Sequence, residues 1–425
     1  VAISAEGDSV MAIKSNGTVL SWGVDSHGQS GTGSLSDKHV PTRAKASDFD
    51  GVKDSNGIPM STTSDTSYLA NVTSIAMGKN QSAVIVGDGS YVLTAGDNTT
   101  GQTGLGTTEG NTTMFKAVKN VWGSDVKVVE IKSGANHTVA RTDDNRLWAW
   151  GDNSKGQLGL GDTVIDNSIE MADKPTQVKR GDSYSDDAYI NNIWTIGVGG
   201  NNSAAIRHDT VVGSDVVWSW GNNDKGQLGL GSSVTNQDRP VQIKNLSNIT
   251  YITAGQYHAG AIDKDGNVYM WGYNEFGQMG NGTSNNYNLT HHKDDHYYYD
   301  DSCWSPDSHH NHGGSSGHTH YMYNKVNNNA YTPVKLSYNF GEKIETITAG
   351  DNHTVVMTES GKVYAWGDNR YNQIGSPQTY AKSGYMGHYR YNLCSGNSND
   401  AEITRVPLML TPVRVRGAEG YGYLE

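Results

Sequence analysis

Residues 249–282 read ITYITAGQYHAGAIDKDGNVYMWGYNEFGQMGNG. Ile249 to Thr253 alternates as a strand, and Ala254-Gly255 breaks it. His258 to Ile262 predicts a second short strand, Asp265-Gly266 a turn, and Val268 to Trp271 a third strand. Asp-Gly between apolar runs favours a hairpin because both turn residues tolerate positive φ. Outward from this stretch, its tail recurs. WGVDSHGQSGTG starts at Trp22, AGDNTTGQTGLG at Ala95, WGDNSKGQLGLG at Trp150, WGNNDKGQLGLG at Trp220 and WGDNRYNQIG at Trp366. A Pro-Val or Pro-Thr segment (Pro41-Thr42, Pro175-Thr176, Pro240-Val241, Pro333-Val334, Pro412-Val413) supplies a fourth strand. Four short antiparallel strands per unit, joined by glycine-rich turns, predict an all-β propeller of four-stranded blades. No run keeps helical apolar spacing over three turns, which argues against a helical solenoid.

The A-G-x-x-H-[ST] segment, the D-G-x-V-Y-x-W-G hairpin and the G-Q-L-G-x-G loop resemble the regulator of chromosome condensation repeat family. That resemblance implies a β-propeller, usually of seven blades, and covers about the whole chain. Two copies depart from it: Ala95 replaces the tryptophan and Asn372 the first loop glycine. Successive tryptophan-equivalent positions lie 73, 55, 70, 51 and 95 residues apart, against a family unit of ~50. The excess predicts insertions at about 44–70, 162–192, 283–331 and 376–410 within one domain, 1–425. Six units are countable, so six blades are expected. The alternative is a shortened seventh, since Ala418-Glu419-Gly420 echoes the opening of the chain.

A formal charge of -12 with only 32 Lys plus Arg disfavours nucleic acid, whose phosphates demand clustered cations. No transmembrane run appears, so membrane insertion is not expected, and no signal peptide is visible; a start at Val1 reads as processing or trimming. A surface vocabulary of Asn, Ser, Thr, Asp, Gly and Tyr points to an extracellular or cell-surface protein, a secreted microbial member of the family. Twelve Asn-x-Ser/Thr sequons occur, weak evidence for glycosylation in a chain this rich in asparagine.

The insertions after units five and six should be neighbours, because equivalent positions in adjacent blades emerge on one face. Each carries one of the two cysteines, so a Cys303–Cys394 disulfide is expected outside the reducing cytosol. The first insertion also holds His291, His292, His296, His309, His310, His312, His318 and His320. Neutral imidazoles ligate zinc or another transition metal, although this spacing matches no defined zinc motif; loop histidines facing water are the bland reading. Asp152 to Asp162 and Asn222 to Gly231 superficially resemble calcium loops but lack the bidentate Glu at the twelfth position. Calcium there would be adventitious.

His137, His258 and His353 share one repeat position, which argues for packing rather than catalysis. No nucleophile elbow, phosphate loop or His-Glu-x-x-His occurs, and no catalytic residue is assigned. The leading expectation is a non-enzymatic binding or scaffold propeller that recognises a protein, a glycan or its own copies through loop faces. Tyr297, Tyr298, Tyr299, Trp304, Tyr321, Tyr323, Tyr385, Tyr389 and Tyr391 would form the binding surface. A metal-dependent enzyme using the His-rich insertion is the alternative. Guanine-nucleotide exchange, which the resemblance implies, is disfavoured because function resides in sites grafted onto a fold.

Overall fold

The computed structural model describes residues 2–47, 61–62, 68–161, 170–181, 188–210, 213–285, 288–292, 320–324, 327–375 and 408–416. These build six four-stranded antiparallel sheets. Blade 1 is β1 (Ala2–Glu6), β2 (Ser9–Ile13), β3 (Val19–Gly23) and β4 (Lys38–Arg43). After the small hairpin of β5 (Ser61–Thr62) and β6 (Tyr68–Leu69), blade 2 follows as β7 (Val72–Met77), β8 (Gln81–Val86), β9 (Tyr91–Gly96) and β10 (Thr112–Ala117). Blade 3 is β11 (Val128–Ser133), β12 (His137–Thr142), β13 (Leu147–Asp152) and β14 (Met171–Gln177). Blade 4 is β15 (Ile193–Val198), β16 (Asn202–Asp209), β17 (Ser214–Gly221) and β18 (Gln237–Ser247). Blade 5 comprises β19 (Ile249–Ala254), β20 (His258–Asp263), β21 (Val268–Gly272) and β24 (Ala330–Lys335), interrupted by the hairpin of β22 (Asn288–His292) and β23 (His320–Asn324). Blade 6 is β25 (Ile344–Ala349), β26 (His353–Thr358), β27 (Val363–Asp368) and β28 (Leu408–Arg414). Six blades of four strands form the propeller that the repeats predict.

The first strand of every blade borders a central cavity of about 170 Å³. The Gly-Gln loop is a self-capped turn. In blade 3, Asn153 Oδ1 accepts the Leu158 amide (3.0 Å) and Gln157 Oε1 accepts that of Lys155 (2.8 Å). Its backbone carbonyl then faces the next blade, where Trp220 Nε1 donates to Gln157 O (2.9 Å). The same bond joins Trp150 to Gln102 O, Trp271 to Gln227 O and Trp366 to Gln278 O, at 2.8–3.1 Å. A Cβ on Gly159 would lie 3.0 Å from the Trp220 ring, so glycine is required where the indole lands, and its φ of +69° adds a second reason. These four tryptophans are wholly buried.

Blade 2 has Ala95 where the tryptophan belongs. Phe115, from the outer strand β10, fills the space against Gly31 instead and is completely buried. The carbonyl of Gln29 keeps one donor, Ser82 Oγ (2.7 Å).

Five apolar layers glue the blades together: 1 to 2, 2 to 3, 3 to 4, 4 to 5 and 5 to 6. Among the described residues no such layer joins blade 6 to blade 1. Ile3, in the register position where Ile75, Ile131, Ile196, Ile252 and Ile347 are buried, is 70% exposed. Trp22 is half-buried, and among the described residues its indole makes no hydrogen bond to the Gln373 loop that would be its socket. Among the described residues the ring therefore has one open seam.

Candidate binding face

Strand direction sorts the connections onto two faces. The turns between first and second strands and the Gly-Gln loops share one end of the ring, here the loop face. The tight hairpins between second and third strands lie at the other. The connections holding residues 283–329 and 376–407 leave from the loop face, in adjacent blades 5 and 6, as the repeat register predicts.

Where these two connections are rooted, aromatic and cationic side chains cluster. Tyr257 and Tyr273 meet edge to face at 6.0 Å, and Lys225 Nζ sits 5.2 Å above the Tyr273 ring. Tyr273 donates its hydroxyl to Glu275 (3.0 Å). Burial and that carboxylate push the phenol up to about 12, so it stays a neutral donor at physiological pH. Next to it, the Arg370 guanidinium lies 4.5 Å over Phe276 and grips both Asp368 oxygens at 2.9–3.0 Å through Nε. The Asp368 carboxylate raises the Arg370 pKa further and keeps the cation permanent. Tyr371 projects beyond it, 82% exposed. Such amphipathic rings and planar cations are the residue types enriched in protein interfaces.

An asparagine clasp closes the neck of the larger insertion. Asn274 donates Nδ2–H to Thr283 O (3.0 Å), and its amide donates to Asn329 Oδ1 (3.1 Å). Asn285 donates to the same Asn329 oxygen (2.6 Å) and accepts the Asn328 amide (2.7 Å). The insertion thus starts and ends at one rigid point. Beyond it, the hairpin register pairs His292 with His320 and His291 with Tyr321. His292 is therefore in a strand. Only the backbone of His291, His292, His320, Tyr321 and Tyr323 is described. His296, His309, His310, His312, His318, Cys303, Cys394, Tyr297, Tyr298, Tyr299, Trp304, Tyr385, Tyr389 and Tyr391 lie outside the described residues.

The repeat histidines have structural partners. His137 Nε2 lies 2.9 Å from Ser203 Oγ, which donates onward to Gln157 O (2.9 Å). Because the serine proton is committed, the imidazole carries its proton on Nε2. His258 bonds Thr354 in the same way (3.0 Å). Burial holds both imidazoles down at about 3, so they are neutral bridges between blades. The supposed calcium loops are turns whose carboxylates already accept hydrogen bonds: Asp152 takes the Ser154 amide (2.9 Å) and the Gln157 side chain (2.8 Å).

In the central cavity, Glu130 is bound by Arg141 (3.1 Å) and by Thr195 (2.7 Å). Glu6 is raised to about 7 by burial and by nearby Asp351, against the opposing pull of Lys79. Hydroxyls of Ser133, Thr195, Thr253 and Thr348 share the wall. Among the described residues this polar lining carries no nucleophile–base pair.

Sequence reasoning missed Lys225, Tyr257, Tyr273, Phe276, Arg370 and Tyr371. Part of their signal was available, since the variable positions of this loop carry Phe or Tyr only in units five and six, at Tyr273, Phe276 and Tyr371. The asparagine clasp had a fainter one, the Asn327-Asn328-Asn329 run.

The repeats, the four-stranded blades and their interlocking tryptophans define a β-propeller of the chromosome-condensation-regulator type. Residues 1–298 match the RCC1-like domain, and residues 344–373 match the regulator of chromosome condensation (RCC1) repeat; the chain belongs to the RCC1-like domain family. It is 25% identical over 384 residues to the ultraviolet-B receptor UVR8 of Arabidopsis thaliana, covering 88% of this chain and 78% of that protein. Against the probable E3 ubiquitin-protein ligase HERC6 of Homo sapiens it is 28% identical over 321 residues, 74% of this chain but 25% of the ligase. It spans 6% of the human ligase HERC2, so it corresponds to only a small part of these ligases. Prp20p of Saccharomyces cerevisiae superposes with a TM-score of 0.64 at 18% identity, covering 98% of this chain and 77% of that one. At that identity the likeness concerns the fold. These relatives are from animals, a plant and a yeast, and lend no support to the expected secreted microbial origin.

Proposed function

We propose that this chain is a non-enzymatic binding propeller that recognises a protein through the loop face of blades 5 and 6. The observation that carries the reading is the cluster of Lys225, Tyr257, Tyr273, Phe276, Arg370 and Tyr371 at the shared root of two long insertions. Rigid blades hold it, so little conformational entropy is lost on contact. A protein partner is also in keeping with the relatives, since Prp20p has binding properties toward Gsp1p and histones. An extracellular setting, the Cys303–Cys394 staple and a metal at the His-rich insertion belong to the same proposal. Intact mass before and after reduction, with elemental analysis, tests those three.

The binding reading is tested by capture with immobilised wild-type protein and two variants. Arg370→Ala/Tyr371→Ser alters the loop face, and Trp194→Ser alters a side chain 64% exposed at the other end of the ring. Partners lost only with the loop-face variant support the reading. Partners that survive it but vanish with Trp194→Ser would move the binding site to the opposite face.

A further inference from the structure

The residue after each isoleucine of the inner strands (Ser4, Ala76, Lys132, Gly197, Thr253 and Thr348) lines the central cavity. Five of the six are small and uncharged. Lys132 is the exception: it is exposed and has no ion pair or hydrogen bond among the described residues. Glu130, two residues before it, is already engaged. Its Oε2 accepts from Arg141 Nε (3.1 Å), and its Oε1 accepts from Thr195 Oγ1 (2.7 Å) and the Ile196 amide (3.4 Å). The hydroxyls on this wall have hydrogens to give. Ser4 Oγ accepts the Met77 amide (3.0 Å) and Thr253 Oγ1 that of Ala349 (3.1 Å). A hydroxyl that receives a main-chain N–H keeps its own hydrogen for another acceptor, and among the described residues neither has one. Thr348 brings a third hydroxyl to the same wall. The remaining charged side chain there is Glu6, raised to about 7 by burial and by Asp351 against the pull of Lys79, so at and below neutral pH much of it is uncharged.

We propose that the central cavity is a binding site for a small oxyanion, a phosphate or a carboxylate, with Lys132 as its cation and the hydroxyls of Ser4, Thr253 and Thr348 as further donors. Four blades supply these groups, so the site exists only in the closed arrangement of the ring. Hydrogen bonds from an ammonium and from hydroxyls to an anionic oxygen are short and strong. A few polar groups converging on one cavity is the usual pattern of a small-molecule site. The volume, about 170 Å³, is below the roughly 300 Å³ at which sites for drug-sized ligands begin, which suits a small ion and not a nucleotide or a peptide. A metal cation fits poorly, because Glu130 is neutralised by Arg141 and the other side-chain groups are donors. The site is separate from the loop-face cluster, where Lys225 and Arg370 are committed to aromatic rings and to Asp368.

The test labels the lysines of the full chain with a limiting amount of a succinimidyl ester, in chloride, inorganic phosphate or acetate at equal ionic strength, and maps them by peptide mass. Labelling of Lys132 is expected to fall several-fold in phosphate or in acetate. Lys14, exposed in the blade 1 hairpin at the other end of the ring, should be unchanged. Shielding by one anion alone supports the site and identifies which oxyanion it takes. Shielding by neither, or equal shielding of Lys14, overturns the proposal. A second measurement compares the wild type with Lys132→Met, which keeps the aliphatic stem and removes the charge. Such anions also stabilise folded chains without binding, so the quantity read is the difference between the two proteins. The thermal midpoint of the wild type should rise more than that of Lys132→Met as the shielding anion is added. Equal rises overturn the site.

Discussion

The middle strands of blades 2 and 5 and those flanking the seam are five or six residues long and similar in composition but have different surroundings. Every residue of β8 and β20 is buried. In β2, Ser9, Met11 and Ile13 are buried, whereas Val10 and Ala12 are half-exposed; β26 alternates in the same way. A strand covered on both faces reads as a continuous apolar run, and one covered on a single face alternates. The strands do not differ in their intrinsic suitability. They differ in whether a neighbouring blade is there, so stability in this ring resides in the junctions.

Three measurements would break or sharpen that contrast, the largest effect first. Trp220→Ala removes a fully buried indole and the hydrogen bond to Gln157 O, and is expected to cost ~3–5 kcal/mol. Trp22→Ala at the seam should cost under ~1 kcal/mol. Denaturant midpoints compare the two, and equal losses would show that the seam is as well packed as the other junctions.

Acid should act through the same junctions. His137 is neutral when folded, with its pKa held at about 3, and titrates near 6.5 when unfolded. Between those values the unfolded chain binds the extra proton. The histidine's contribution is therefore whole above pH 6.5 and is lost as pH falls toward 3, about 5 kcal/mol at most. His137→Gln should flatten that acid slope. His353→Gln should flatten it less, since His353, which is only half-buried and faces the seam, has a smaller downward shift. Stability measured from pH 7 to 4 decides this, and identical slopes for the two variants would contradict it.

Glu6 runs the other way. Its folded pKa of about 7 lies above the ordinary 4.5, so the folded chain keeps a proton that the unfolded chain has released. Its stabilising contribution is complete below pH 4.5 and disappears as pH rises through 7. Discounted for partial exposure, the loss is on the order of 1–2 kcal/mol. Glu6→Gln should raise the thermal midpoint at pH 8 and leave it unchanged at pH 4. An unchanged midpoint at both would show that Glu6 is solvated.

Much of this was legible without coordinates. The hairpin signal at Asp265-Gly266, the Pro-Val outer strands and the glycine spacing report backbone conformations that each unit must adopt locally. They led to six four-stranded blades. The packing role of His137 and His258 was also readable, because residues recurring in register serve the repeat. Phe115 substituting for the absent tryptophan was not, since it comes from a different strand and meets Gly31 only when two blades stack. The binding cluster was similarly hidden: Lys225 and Tyr273, like Phe276 and Arg370, belong to different units and touch only across a junction. The aromatic residues chosen from composition, such as Trp304 and Tyr389, lie outside the described residues.

The amino-acid sequence by itself determined the repeat, its strands, its turns and the family, because these depend on contacts within about fifty residues. Only the tertiary structure decided which side chains of separate blades form the loop-face cluster, and that among the described residues no apolar layer joins blade 6 to blade 1. Both depend on how sheets far apart in sequence stack around a common axis, and residue order within a blade does not encode what stands beside it.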